Sequence, residues 1–131
     1  DRGNFYAPTI LARVDNGSTL AREEVFGPVL AVIGFDTADE AVRLANDNAY
    51  GLVANVHTTN LQVAHTVAAA IQAGSVFVNL PAIPFKEAPF GGYKMTGVGK
   101  DLGRDGIESC TIKKSVVVSL ARPGEHLRWF E

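Results

Sequence analysis

A chain of 131 residues and 13.9 kDa has room for one domain and enough length to bury most of its apolar surface, so two unrelated domains are not expected. Twelve Lys and Arg against 14 Asp and Glu leave a net charge of -2 and a pI near 5.9, which lacks the basic excess of a nucleic-acid binder. The hydrophobic fraction of 47% rises to about 55% when glycine is added and tyrosine removed, above the globular average of about 45–50%, and this predicts that something further covers the surface.

The chain opens on Asp1-Arg2-Gly3-Asn4, without an initiator Met or a basic segment leading into an apolar stretch. No signal peptide is expected, and the chain reads as a piece of a longer one. Thr9 to Val14 alternates weakly and is β-prone, and Asp15-Asn16-Gly17-Ser18 supplies turn residues after it. The sequon at Asn16 reads as part of that turn rather than as a glycan site. The apolar run from Val25 to Phe35 contains Pro28 and falls short of the ~18 residues of a membrane span, so no membrane partner is expected. Within it, residues 29–35 have the pattern of a strand covered on both faces.

Thr37-Ala38-Asp39-Glu40 predicts a capping box at a helix start, with Ala41, Leu44 and Ala45 as the inward stripe. The unit then repeats. Residues 52–57 are β-prone, Thr59-Asn60-Leu61-Gln62 is a second capping box, and Leu61, Ala64, Val67, Ala68 and Ile71 recur at helical spacing before Gly74 as a C-terminal cap. Ser75-Val76-Phe77-Val78-Asn79 is a third strand. The fold class is therefore α/β, with a β-α-β-α-β core whose helical connections suit parallel strands. From Leu80 to Gly106 glycine and proline are frequent and apolar periodicity disappears, the signature of a long functional loop. Residues 112–120 read as a final edge strand and residues 121–131 as a mixed tail.

Several familiar chemistries fail on spacing. Gly97, Gly99 and Gly103 give G-x-G-x-x-x-G without a strand leading directly into them, and Gly99-Lys100-Asp101 lacks both the first glycine and the Ser or Thr of a phosphate loop. His57, His65 and His126 do not pair on one helix and Cys110 is alone, so no metal site is predicted. Cys110 has no base beside it and reads as a partly buried packing residue; it cannot form an internal disulfide, which favours a reducing, cytoplasmic setting. Glu23-Glu24 before Val25-Phe26-Gly27-Pro28 puts an acid near a bend with a ring beside it. That suits a sugar hydroxyl and a flat heteroaromatic group, and equally a solvated charge pair before a strand.

Four blocks in order together resemble the aldehyde dehydrogenase superfamily, in the last quarter of its long subunit. They are Arg22-Glu23-Glu24-Val25-Phe26-Gly27-Pro28-Val29, Ala45-Asn46 with Tyr50-Gly51-Leu52, Ala73-Gly74-Ser75-Val76-Phe77-Val78-Asn79, and Pro89-Phe90-Gly91-Gly92-Tyr93-Lys94-Met95-Thr96-Gly97. The resemblance implies that Glu24 accepts hydrogen bonds from the nicotinamide ribose of NAD or NADP and that Phe26 packs by the nicotinamide ring. It assigns Ile83, Pro84, Phe85 and Phe90 to the wall of an aldehyde tunnel. Departures are Thr96 for the usual serine, Lys100 for arginine, Asp101 for glutamate and Cys110 for tyrosine.

The family oxidises aldehydes to acids through a thioester on a cysteine, with a glutamate activating water. The segments bearing both residues are upstream of this chain, so no catalytic residue is assigned here and the segment alone is expected to be inactive. Residues 1–111 correspond to the C-terminal part of the catalytic domain, and residues 112–131 to an oligomerisation strand and tail. The implied partners are the aldehyde, the remainder of the same subunit, and further copies in a dimer or tetramer. The rival reading is a truncated, non-catalytic relative acting as an oligomerisation or partner-binding module.

Overall fold

Two parallel strand pairs and the helices between them organise this computed structural model, which describes residues 2–120. The first pair joins β1 (Thr9–Ala12) to β2 (Val29–Val32), with Thr9 opposite Val29 and Ala12 opposite Val32. The second joins β4 (Val53–Val56) to β5 (Ser75–Val78), with Val53 opposite Ser75. A short antiparallel pair, β3 (Tyr50–Gly51) with β6 (Tyr93–Lys94), ties the loop after β5 back to the start of the second pair. Between β2 and β4 runs α2 (Ala38–Asn46), and between β4 and β5 runs α3 (Leu61–Ala70). The expected β-α-β-α-β order is present and the class is α/β.

Local chemistry sets the helix starts. The Thr37 hydroxyl accepts from the Glu40 amide at 3.1 Å, and the Glu40 carboxylate reaches one residue further back than a standard box, to the Asp36 amide at 2.9 Å. At α3 the cap is Asn60 rather than Thr59. Its carboxamide oxygen accepts from the Val63 amide at 3.1 Å, while the Thr58 hydroxyl accepts from the Asn60 amide. An asparagine directly before the first helical residue displaces the threonine one position earlier. The one-turn helix α1 (Thr19–Arg22), preceded by Ser18 without a side-chain cap, was not expected from the sequence, whereas the charged, helix-like stretch Asp101 to Glu108 supplies most of α4 (Gly103–Ser109).

The core lies between α3 and the second strand pair, where the buried apolar side chains are Val56, Ala64, Ala73 and Phe77. Three expectations change here. Leu61 is exposed and not part of the inward stripe, Ala45 is exposed while Val42 is half-buried, and β2 is covered on one face only, with Leu30 and Val32 exposed. Gly74 is no helix cap, since α3 already ends at Ile71. Instead a Cβ at Gly74 would run into the carbonyl oxygen of Gly91, so glycine there permits two backbones to touch.

No ladder joins β2 to β4. Between them lies an apolar groove of about 490 Å³, lined by Ile33, Phe35, Val42, Val56, Val63 and Val67 among others. The chain's accessible surface of 11096 Å² far exceeds the roughly 6,700 Å² that size scaling gives for a compact monomer of this mass. The sequence-based expectation that something further covers the surface agrees with this excess, whereas the expectation that the chain buries most of its own apolar area does not. Residues 112–120 form no β-ladder with any described segment, so a strand there requires a partner from outside residues 2–120.

A chain this open should unfold without a sharp transition when isolated. The 131-residue chain alone is expected to bind a hydrophobic dye such as ANS and to show a shallow denaturant curve, because little surface is newly exposed on unfolding. A steep two-state transition without dye binding would show that its apolar faces close on themselves.

Candidate functional site

Glu24 and Phe26 sit on the connection from α1 to β2. Glu24 lines a cleft of about 520 Å³ with Asn48, Tyr50, Gln72 and Thr96, and among the described residues its carboxylate makes no hydrogen bond or ion pair. Phe26 is outside that cleft, 92% exposed, at a φ of 52°. A bulky residue in the left-handed region is uncommon, because its Cβ crowds the following carbonyl. Holding an apolar ring in that conformation and in water runs against both sterics and hydration. The loop therefore presents an acceptor-only carboxylate and a flat ring two residues apart.

The second set of expected contacts is divided. Phe85 and Phe90 line one cleft of about 460 Å³ with Phe77 and Val78 from β5, whereas Ile83 and Pro84 lie outside it and Ile83 is exposed. Phe90 is held by a reciprocal pair of backbone bonds with Asp101, both 2.7 Å. Gly91 and Gly92 then pack so tightly that a Cβ on either would strike Gly99 or Thr96. The loop between β5 and α4 is thus ordered by backbone contact rather than by periodic side chains. The two clefts share no lining residue.

A polar cluster that the sequence reading did not single out connects these loops. Arg22 at the end of α1 donates to both carboxylate oxygens of Asp47, at 3.1 and 2.6 Å, and through Nε to the Asn16 carbonyl at 2.7 Å. Asn16 also donates to Asp47 at 3.2 Å. On one side of Asp47, Asn46 bonds the Ala70 carbonyl and the Gln72 amide at the end of α3; on the other, Asn48 donates to the Ala21 carbonyl. Lys94 of β6 donates to the carbonyls of both Asn46 and Asn48, at 2.7 and 3.0 Å. The only signal available beforehand was that Arg22, Asn46 and Lys94 fall within three of the four blocks of family resemblance, with no reason to connect them.

The hydrogen bond from Arg22 is the largest influence on Asp47 and holds its carboxyl below the ordinary 3.8; slight desolvation opposes it, and the Arg22 charge, the Asn16 bond and the Arg43 charge add to it. A carboxyl lowered in this way stabilises the fold above its unfolded value and loses that contribution as pH falls through the folded one. The pair is accordingly complete at neutral pH and weakens only in acid.

Other chemistry is sparse. Among the described residues no group of three or more His, Cys, Asp or Glu could hold a metal ion, and no helix is long and apolar enough to cross a membrane. Cys110 caps α4 and is exposed rather than partly buried, with the Ser109 hydroxyl 3.9 Å away and no base bonded to it. His126 lies outside the described residues. For a nicotinamide riboside, the acceptor chemistry fits: two carboxylate oxygens of Glu24 match the two donating hydroxyls of a ribose, and Phe26 offers a ring face. Nothing described here offers a phosphate loop for the other half of such a cofactor.

The sequence pattern of the aldehyde dehydrogenase family matches residues 1–116. A betaine aldehyde dehydrogenase of Cereibacter sphaeroides is 48% identical over 118 residues, which are 90% of this chain and 24% of that protein. The mitochondrial aldehyde dehydrogenase of Homo sapiens is 44% identical over 120 residues, covering 92% of this chain and 23% of its own length. Among solved structures, betaine aldehyde dehydrogenase of Staphylococcus aureus in complex with NAD+ superposes with a TM-score of 0.78 at 42% identity, over 80% of this chain and 21% of that one. The indole-3-acetaldehyde dehydrogenase AldA of P. syringae, in complex with NAD+ and IAA, gives a TM-score of 0.75 at 50% identity over 77% of this chain and 20% of that one. The chain thus spans about a quarter of the length of these relatives.

One contact within the cleft that Glu24 lines gives a direct test. The Thr96 hydroxyl accepts from the Gly51 amide at 2.9 Å in a half-buried position. Thr96→Val keeps the shape and strands that amide, and should cost about 1–3 kcal/mol in denaturant unfolding of the complete subunit; Thr96→Ser, which keeps the acceptor, should cost clearly less. Equal losses would remove the hydroxyl from the account.

Proposed function

This chain belongs to the aldehyde dehydrogenase family, and from that premise we propose that it forms the C-terminal quarter of a subunit that oxidises aldehydes to carboxylic acids with NAD or NADP. The observation that carries the reading is the match of residues 1–116 to the family, together with relatives of which this chain covers only about 24%, so that roughly three quarters of each lies outside the match. The nucleophilic cysteine and the water-activating glutamate of the thioester route belong to the part outside this chain. Cys110, exposed and without a base, does not substitute for them.

In this reading residues 1–111 complete the catalytic domain and Glu24 accepts both ribose hydroxyls, which fixes the rotation of the nicotinamide end. Phe26 covers that end and keeps water from it. The cofactor, when bound, accepts the hydride. Ile83, Pro84, Phe85 and Phe90 form one wall of the aldehyde tunnel, with Phe85 and Phe90 already sharing a cleft. A lone cysteine suits a cytoplasmic, reducing setting.

Glu24→Gln in the complete subunit keeps the volume and removes the charge from the acceptor, so single-turnover NADH formation should slow more than thermal stability falls. The isolated chain should produce no NADH from any aldehyde. An unchanged hydride step with lowered stability would overturn the assignment of Glu24. A complete protein without aldehyde-dependent NAD or NADP reduction would favour a partner-binding module instead.

Residues 112–131 are proposed to mediate assembly into a dimer or tetramer. Val116, Val117 and Val118 are 71–86% exposed, and Ile112 almost entirely so. A β-branched run of this kind in water invites pairing with another strand edge. The continuation of the tail from Arg122 onto a neighbouring subunit falls on residues outside those described. Val117→Pro removes a ladder donor and should split the oligomer, as read by light scattering. An intact oligomer of normally folded subunits would confine this segment to its own chain.

A further inference from the structure

The strained conformation at Phe26 raises the question of what holds its loop. Residues 23–27 span two anchors. At the far end the loop enters a strand pair directly, since the Thr9 amide of β1 donates to the Pro28 carbonyl at 2.9 Å, and a tight turn closes beside it with the Val29 amide donating to the Gly27 carbonyl at 2.7 Å. At the near end α1 is a single turn of four residues, too short to persist by its own hydrogen bonds. What fixes α1 is its last residue. Each side of the Arg22 guanidinium is occupied, two nitrogens by the Asp47 carboxylate and Nε by the Asn16 carbonyl, and the neighbouring Ala21 carbonyl accepts from Asn48. A planar fork bonded on two edges fixes direction as well as distance, which a single ion pair at the surface does not.

We propose that Arg22 is a positioning residue for the cofactor: clamped by Asp47 and the Asn16 carbonyl, it fixes the near end of the 23–27 loop so that Glu24 and Phe26 face the nicotinamide riboside together. The inference deepens the reading of Glu24 and Phe26 given above and rests on it. Arg22 touches neither cofactor nor substrate in this account. Its effect passes through the backbone of two residues to Glu24 and four to Phe26. Since Asp47 follows the end of α2 directly, and Lys94 bonds the carbonyls on either side of it, the same clamp refers the cofactor loop to the strand that carries the second loop.

The test uses the complete subunit and three variants, Arg22→Gln, Asp47→Asn and their combination, with Glu24→Gln as the benchmark. Three quantities are read: the NAD dissociation constant by calorimetry, amide hydrogen exchange of residues 23–28 without cofactor, and the single-turnover hydride rate. A displaced loop is expected to slow the hydride step by about tenfold to a hundredfold, to weaken NAD binding, and to speed exchange in residues 23–28 while the rest of the subunit keeps its protection. The double variant should be no worse than the more damaging single one, because both break one pair. If Glu24→Gln changes NAD binding or hydride transfer and Arg22→Gln changes neither, the clamp is overturned while the cofactor reading stands. If neither variant changes them, both are overturned. Exchange that rises across the whole subunit in Arg22→Gln, with a matching fall in melting temperature, would make Arg22 merely structural and overturn the proposal; should Arg22→Gln fail to fold, Asp47→Asn is judged by the same three readings.

Discussion

The end of α2 leaves backbone carbonyls without helical partners, and the way this chain satisfies them fixes the position of nearly everything else. The Lys94 ammonium occupies the carbonyls of Asn46 and Asn48, where a cation also suits the negative end of the helix. Asn46 uses its side chain to close the end of α3, and Asn48 uses its own to hold α1 and to accept from the Tyr50 amide. Asp47 between them takes Arg22. Three consecutive polar residues therefore bind α1, α3, β3 and β6 to one turn. A purely apolar turn would leave these donors and acceptors to water and the four elements free to separate.

Backbone contact does the rest of the positioning. The segment after β5 has little apolar periodicity, and it returns across the second strand pair where Gly51, Gly74 and Gly91 allow main chains to approach and Gly92 leaves room for the Thr96 side chain. Lys100 then spans the fold of that segment, donating to the Gly92 carbonyl at 2.8 Å and lying 5.1 Å from the Tyr93 ring centre. Phe90 is consequently carried by a rigid loop, as a wall of a cleft requires.

Openness is the other governing feature. The core among the described residues is a thin layer around Phe77 and Ala64, while Leu30, Val32 and Phe35 face outward from β2. The chain spans about a quarter of the length of the relatives it matches, and much of its apolar surface is open. The apolar groove between β2 and β4 and the exposed valines at residues 116–118 are of this kind, leaving apolar area that these residues do not bury among themselves.

Sequence alone determined what depends on neighbours along the chain. Thr37 and Asn60 lie within predicted helix starts, the β-branched runs became β1, β2, β4 and β5, and the turn at Asp15 closed through its own carboxylate on the Gly17 amide. The four blocks around Glu24, Asn46, Val76 and Phe90 were also legible, since residue identity is enough for a family resemblance. Tertiary structure alone decided which stripes are inward, because Leu61 and Ala45 satisfy the helical period yet remain exposed among the described residues. It also decided that Gly74 serves a close approach instead of a cap, and that Arg22 meets Asp47 at a separation of 25 positions. Such meetings are set by where elements pack, and periodicity, which records only the local fold of the backbone, carries no information about them.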